Sequence, residues 1–145
     1  MIRVANRSDV LAIVRMGLRF AGGEYAPWIE ATPEALASFA ERLIGSDDAT
    51  IFLAESDGAV MGMLAVMVYP HPMSGARVAS ELCWWIEPEA RGGRTALRLV
   101  RAAEQWAVDH DARVLQMIAP TARVGEFYEA LGYGRVETTY QRRVA

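Results

Sequence analysis

The chain contains no lysine; all fifteen of its basic residues are arginine. This reads as a coding bias of the source and carries no functional weight. Cysteine is almost as scarce, with Cys83 alone. One cysteine excludes an internal disulfide, and its place in an apolar run favours a buried, inert thiol over a nucleophile. His71 and His110 stand alone and far apart, so no metal-ligand spacing is present. No segment reaches the 18 or so consecutive apolar residues of a membrane span, and no apolar signal-like region opens the chain. The net charge of −3 excludes a general affinity for nucleic acid. The default expectation is a soluble cytoplasmic protein with no nucleic-acid and no membrane partner.

What is present is a globular composition, 52% hydrophobic and 23% charged over 145 residues. That length suits one domain, residues 1–145, able to bury roughly 68–70% of its unfolded surface without staples. Residues 2–4 read as a short strand. Ser8 is a candidate cap for a helix beginning at Asp9, with Val10, Ile13, Val14 and Leu18 on one face. Thr32-Pro33-Glu34 opens a second helix, which Gly45 stops. Residues 50–55 and 60–69 are strands joined by the hairpin signal Ser56-Asp57-Gly58. Residues 78–87 form another strand, residues 95–109 a helix, and residues 114–118 a short apolar strand. Thr121 caps a last helix ended by Gly132, and residues 133–144 suggest two further strands. The order β-α-α-β-β-β-α-β-α-β-β predicts an α/β (α+β) fold, a mixed central sheet flanked by helices. The strand–helix–strand unit from residue 78 to residue 118 predicts a parallel crossover. A Rossmann domain would alternate strand and helix throughout, and the glycines do not follow G-x-G-x-x-G.

The most informative segment is Trp84-Trp85-Ile86-Glu87-Pro88-Glu89-Ala90-Arg91-Gly92-Gly93-Arg94-Thr95-Ala96. It reads as a strand, a sharp turn and two glycines opening a helix. A helix start offers backbone N–H groups with no intrahelical partner, and paired glycines let a ligand approach them closely. That is a site for an anion, most often phosphate. Arg91, Arg94 and Arg98 gather where the helix dipole disfavours cations by roughly 0.3–1 kcal/mol each, a sign that a bound polyphosphate would reverse. An ordinary strand–turn–helix with a solvated basic face is the alternative reading.

Two motifs then carry a resemblance. Ile86-Glu87-Pro88-Glu89-Ala90-Arg91-Gly92 is similar to the V-x-P-x-x-[RQ]-G entry to the pyrophosphate loop of the GNAT acetyltransferase superfamily. That loop continues [RQ]-x-x-G-x-[GA], matched here by Arg91 to Ala96 except that Arg94 replaces a glycine. Phe127-Tyr128-Glu129-Ala130-Leu131-Gly132-Tyr133 is similar to the family's x-Y-x-x-L-G-[FY] signature. Seven residues before this tyrosine, where the family often has a cofactor-touching asparagine, stands Thr121. The element order matches the family over nearly the whole chain, so the resemblance implies a single GNAT-like domain.

The resemblance implies an N-acetyltransferase that uses acetyl-CoA as acyl donor and a primary amine, of a small molecule or a protein, as acceptor. Pyrophosphate would lie on the N–H groups of Arg91, Gly92, Gly93, Arg94, Thr95 and Ala96. The pantetheine arm would pair with the exposed edge of Trp84, Trp85 and Ile86 as an added strand would, and an edge N–H would polarise the thioester carbonyl. Tyr128 is the candidate general acid, since a phenol is protonated at neutral pH and can donate to the departing thiolate; a core aromatic is its other reading. Glu81 is the candidate base. Strict alternation would put it with Cys83 and Trp85 on one face, opposite Leu82, Trp84 and Ile86, and burial would raise its pKa. An exposed or arginine-paired structural carboxylate is the competing reading, and Glu24, Glu30 and His71 are other candidates for the base. Glu24, Tyr25 and Trp28 lie where the family builds its acceptor pocket, and aromatic plus acidic groups suit a cationic amine.

Arg94 and Thr121 depart from the family pattern. They keep open an alternative function, a non-catalytic acyl-CoA-binding module or assembly subunit, which would release no thiol in the presence of amines. A nucleotide-binding fold unrelated to CoA is a third reading, separable by comparing acetyl-CoA with ATP and NAD. Trp84 and Trp85 would serve either a core or a homodimer interface.

Overall fold

The computed structural model describes residues 1–145. Five strands run Ile2–Val4 (β1), Ala49–Ser56 (β2), Ala59–Pro70 (β3), Arg77–Ile86 (β4) and Leu115–Gln116 (β5). Four helices span Val10–Ala21 (α1), Pro33–Leu43 (α2), Thr95–Asp109 (α3) and Ala122–Ala130 (α4). The sheet order is β1-β2-β3-β4-β5, antiparallel except for the parallel β4–β5 pair. The expected crossover through α3 is therefore present.

Side-chain alternation in β2 and β3 divides the core in two. Phe52, Leu64, Val66 and Val68 pack with Leu99, Val100 and Ala103 of α3 and Tyr128 of α4. Ile51, Leu53, Met63 and Ala65 pack with Ile13 and Met16 of α1 and Ala40 and Leu43 of α2. A sheet covered on both faces explains why β3 is apolar almost throughout rather than alternating. Leu99 and Val100 are fully buried. Burial of such side chains stabilises by roughly 1.5–3 kcal/mol each, which fixes the start of α3 against the sheet.

The hairpin between β2 and β3 turns at Asp57 and Gly58, both with positive φ, as a two-residue I′ turn requires. The start of α1 differs from the expectation. Asn6, not Ser8, is the capping residue: its side chain accepts from Ser8 N–H at 2.9 Å, and the Asp9 carboxylate returns a bond to Asn6 N–H at 2.8 Å. Residues 7–9 make a 3-10 turn, and the α-helix begins one residue late, at Val10. Arg3 donates to both oxygens of Asp9, each at 2.8 Å, and holds that carboxyl below its usual range.

Residues 133–144 do not form the two expected strands. A strand needs a partner edge to satisfy its backbone, and β5, the edge on offer, is two residues long. The tail instead crosses toward the α1–α2 loop, where Arg143 donates to Pro27 C=O at 2.6 Å and to Glu30 at 3.3 Å.

Candidate active site

β4 ends at Ile86, a short 3-10 turn covers Pro88–Ala90, and α3 starts at Thr95. Gly92 has φ +83°, a conformation that side-chain-bearing residues rarely adopt. Gly93 is different: a Cβ built there meets nothing within 4 Å. Arg94 occupies the cap position and no side chain caps the helix. The first bond of the helix ladder runs from Arg98 N–H to Arg94 C=O at 3.0 Å. The amides of Thr95, Ala96 and Leu97 thus lack an intrahelical acceptor.

Arg91 does not reach outward as an anion-binding arm. Its Nε donates back to Ile86 C=O at 2.9 Å, and its guanidinium lies 4.8 Å from the centre of the Trp85 ring. It closes the turn on the strand end, while Arg94 and Arg98 remain exposed. One sequence expectation is corrected accordingly: of the three arginines only two have free side chains, because Arg91 is claimed by a carbonyl and an aromatic face.

The second half of the site is a gap. β5 pairs with β4 only at Ala79 and Ser80. Past Ser80, no strand pairs with the β5 side of β4 at Trp84 and Trp85, while the Ile86 carbonyl is already taken by Arg91. Glu81 marks where the ladder stops. Its Oε2 accepts the Ile118 N–H at 2.9 Å, in place of a backbone carbonyl of a continued ladder, and lies 3.4 Å from the Tyr128 hydroxyl. That hydroxyl also donates to Ile118 C=O at 3.2 Å.

Strict alternation fails at this point. Val66 opposes Glu81 and Ala65 opposes Cys83, so Leu82 is an extra residue, a β-bulge. The bulge sends Glu81 to the α4 side, with Tyr128, and Cys83 to the α1–α2 side, where it is buried and its thiol is pushed up to about 12 by burial. Trp84 and Trp85 pack into opposite cores, Trp84 with α4 and Trp85 with α1 and α2. Neither is an outward-facing interface residue.

Glu81 is 6% exposed, and burial raises its carboxyl to about 7 against the pull of its two hydrogen bonds. Tyr128 is 5% exposed and is raised well above the ordinary phenol range, first by burial and then by the Glu81 charge. Its ring packs 5.7 Å from Trp84 and 5.5 Å from Tyr133. Trp84 Nε1 is buried without an acceptor.

Of the other candidate bases, none joins this pair. His71 accepts from Met73 N–H within its own loop, and Glu30 is exposed and paired with Arg143. Glu24 is exposed. Tyr25 is stacked on Phe20 at 4.9 Å, and its hydroxyl is raised first by burial and then by the Glu81 charge. Trp28, half-exposed, lines a cleft of about 400 Å³ with Tyr140, Gln141, Arg142 and Arg143. Thr121 caps α4, its Oγ1 accepting Val124 N–H at 3.4 Å. Sequence reasoning missed Glu87, which is 2% exposed and bonded to Arg19 and Trp85; its position at the end of a buried strand, just before Pro88, was the available signal.

An unpaired stretch of strand edge thus leads to a helix start whose first amides have no intrahelical acceptor. Residues 19–133 match the model of the acetyltransferase (GNAT) family. The chain belongs to that family, and membership makes acetyl-CoA the acyl donor. No curated protein is detectably similar in sequence. Among solved structures, a ribosomal-protein-alanine N-acetyltransferase from Brucella melitensis biovar Abortus 2308 aligns with a TM-score of 0.75 at 19% identity, over 99% of both chains. The aminoglycoside 6'-N-acetyltransferase AAC(6')-Ig from Acinetobacter haemolyticus gives 0.78 at 17% identity, over 100% of this chain and 99% of the other. A predicted acetyltransferase from Clostridium acetobutylicum, solved with acetyl-CoA, gives 0.82 at 15% identity, over 99% of this chain and 96% of the other. At such identities the likeness is one of fold. No helix is long and apolar enough to cross a membrane.

Proposed function

We propose that the protein is a cytoplasmic N-acetyltransferase that moves the acetyl group of acetyl-CoA to a primary amine, on a small molecule or a protein. The observation that carries this reading is the buried Tyr128–Glu81 pair at the point where the β4–β5 ladder opens. The open β4 edge would take the pantetheine arm as an added strand. The amides from Gly92 to Ala96 would take the pyrophosphate; that of Arg91, expected to join them, already donates to Pro88 C=O at 3.3 Å.

In this reading the neutral amine attacks the thioester carbonyl, an N–C bond forms and the C–S bond breaks. A backbone N–H on the β4 edge stabilises the oxygen that gains charge. Tyr128 gives its proton to the departing thiolate, and ionised Glu81 takes the proton that the amine loses. The two oxygens lie 3.4 Å apart, so one transfer within the pair restores the starting state. The loop carrying Glu24, Tyr25 and Trp28 would receive the acceptor, its acidic and aromatic groups suiting a cation.

A binding-only module is favoured by one observation: the Tyr128 hydroxyl is already engaged by Ile118 C=O and Glu81. Free-thiol release from acetyl-CoA across a panel of primary amines separates the two, since only the enzyme releases thiol in step with amine. Both readings require binding. Acetyl-CoA at 100 times its Kd should stabilise the fold by about 2.7 kcal/mol in a thermal melt, and an unmoved Tm contradicts both.

Gly93→Val tests the turn itself. A side chain there meets nothing in the free protein, so the fold should melt as before. Acetyl-CoA affinity should fall about tenfold or more, because close backbone approach is blocked. Unchanged affinity by titration calorimetry places the pyrophosphate elsewhere.

A further inference from the structure

Glu87 has no part in the chemistry above, yet it is the most buried carboxylate of the chain, at 2% exposure. Its Oε2 accepts from Arg19 of α1 and from Trp85 Nε1 at 3.2 Å. Burying a charge carries a desolvation cost that only its partners offset, and an apolar side chain would fill the same space without it. What a carboxylate adds is direction: it fixes the Trp85 indole by its N–H. The Trp85 ring in turn carries the Arg91 guanidinium, whose Nε closes the turn on Ile86 C=O. Gly92 and Gly93 follow immediately. At the other end, Arg19 lies in the last turn of α1, from which the loop of Glu24, Tyr25 and Trp28 springs. Arg19, Glu87, Trp85 and Arg91 thus form one contiguous chain of contacts. It runs from the root of the acceptor loop to the pyrophosphate turn.

We propose that Glu87 is a positioning residue that sets the shape of the acetyl-CoA turn through Trp85 and Arg91 and ties the acceptor loop to it through Arg19. Residues 22–30 then respond to occupation of the turn through this chain of contacts. The proposal rests on the acetyl-CoA reading of the turn.

The test uses the full chain and acetyl-CoA alone, with calorimetry for affinity and hydrogen exchange for the loop. Glu87→Gln, which keeps an oxygen for Trp85 but loses the charge, should weaken acetyl-CoA binding about fivefold or more. Arg19→Met should do the same from α1, outside the turn, and Arg19→Lys should recover most of the loss. The double variant should be no weaker than the worse single, because both act on one chain of contacts. In the wild type acetyl-CoA should slow exchange across residues 22–30, and in Arg19→Met it should not. A residue that only packs would lower Tm without moving affinity well below the melt. Should Glu87→Gln fail to fold, the half-exposed Arg19 decides through its own pair of variants. Binding within about twofold of wild type in Arg19→Met, or losses that multiply in the double variant, overturns the proposal. So does exchange in residues 22–30 that ignores the ligand. A wild type that fails to bind acetyl-CoA overturns the reading of the turn itself and this proposal with it, whereas a binding wild type with unaffected variants overturns Glu87 alone.

Discussion

Tyr128→Phe is expected to lower turnover about 100-fold or more while leaving acetyl-CoA affinity nearly unchanged. The substitution removes one hydroxyl and keeps the ring that packs on Trp84, Phe127 and Tyr133. Ile118 C=O and Glu81 each lose a donor, but Glu81 retains the Ile118 N–H, so the stability loss should stay near 1 kcal/mol. In the proposed reading the pyrophosphate and pantetheine would be held at the turn and on the β4 edge, away from this hydroxyl. Slow hydrolysis of acetyl-CoA, which has the same leaving thiolate, can serve as the assay before an acceptor is found. A core-aromatic role gives the opposite pattern, a small drop in Tm and nearly normal turnover. Retention of more than about half the wild-type rate, with chemistry shown to limit it, ends the general-acid assignment.

Glu81→Gln should flatten the pH dependence of both stability and rate. The carboxyl ionises near 7 in the folded protein, against an ordinary 4.5. Between those values the folded state holds a proton that the unfolded state has released. The stability contributed is complete below the unfolded value and is lost as pH rises through the folded one. The difference corresponds to about 3 kcal/mol, at about 1.4 kcal/mol per pKa unit. Denaturant titrations at pH 4.5 and pH 8 should therefore show the variant gaining about that much on the wild type as pH rises. In kcat/KM, the wild type should show a rising limb with an apparent pKa near 7, and the variant should lack it at a much reduced rate. Wild-type and variant stability curves that run parallel would show that Glu81 stays ionised on folding.

The parts of the fold that local chemistry encodes were legible in the sequence. The α3 helix has a glycine turn before it and an apolar stripe along it, and residues 95–109 were read to the residue. Thr121 caps the helix it is expected to cap, and Thr32-Pro33-Glu34 opens α2 as expected, with Thr32 as its cap. Four apolar residues among 114–118 suggest a five-residue strand, but only Leu115 and Gln116 pair. What shortens it is a side chain from another strand, Glu81, taking the Ile118 N–H, and no periodicity in residues 114–118 records that. The tail failed for the same kind of reason: alternation shows what could pair, not whether an edge is there to receive it. Glu81 and Tyr128 were read as separate candidates; their proximity depends on a bulge at Leu82, an apolar residue in an apolar run, where composition gives no sign of an extra residue. Glu87 passed unnoticed because it sits inside a motif whose other residues already had a use.

The bulge has a consequence for how β4 can change. A strand is read in steps of two, so it has a phase, much as a coding sequence has a frame. Leu82 shifts that phase midway: Ala79 and Glu81 keep one setting, and Cys83 to Ile86 keep the other. Any other side chain at this position leaves both settings intact. Removing the residue altogether keeps them too, because Glu81 and Cys83 would then oppose Val66 and Ala65 as neighbours in a regular ladder, with Trp84 still toward α4 and Trp85 still toward α1 and α2. β4 therefore carries one residue of slack at Leu82, and a single deletion there would be a milder lesion than a deletion elsewhere in its ten residues.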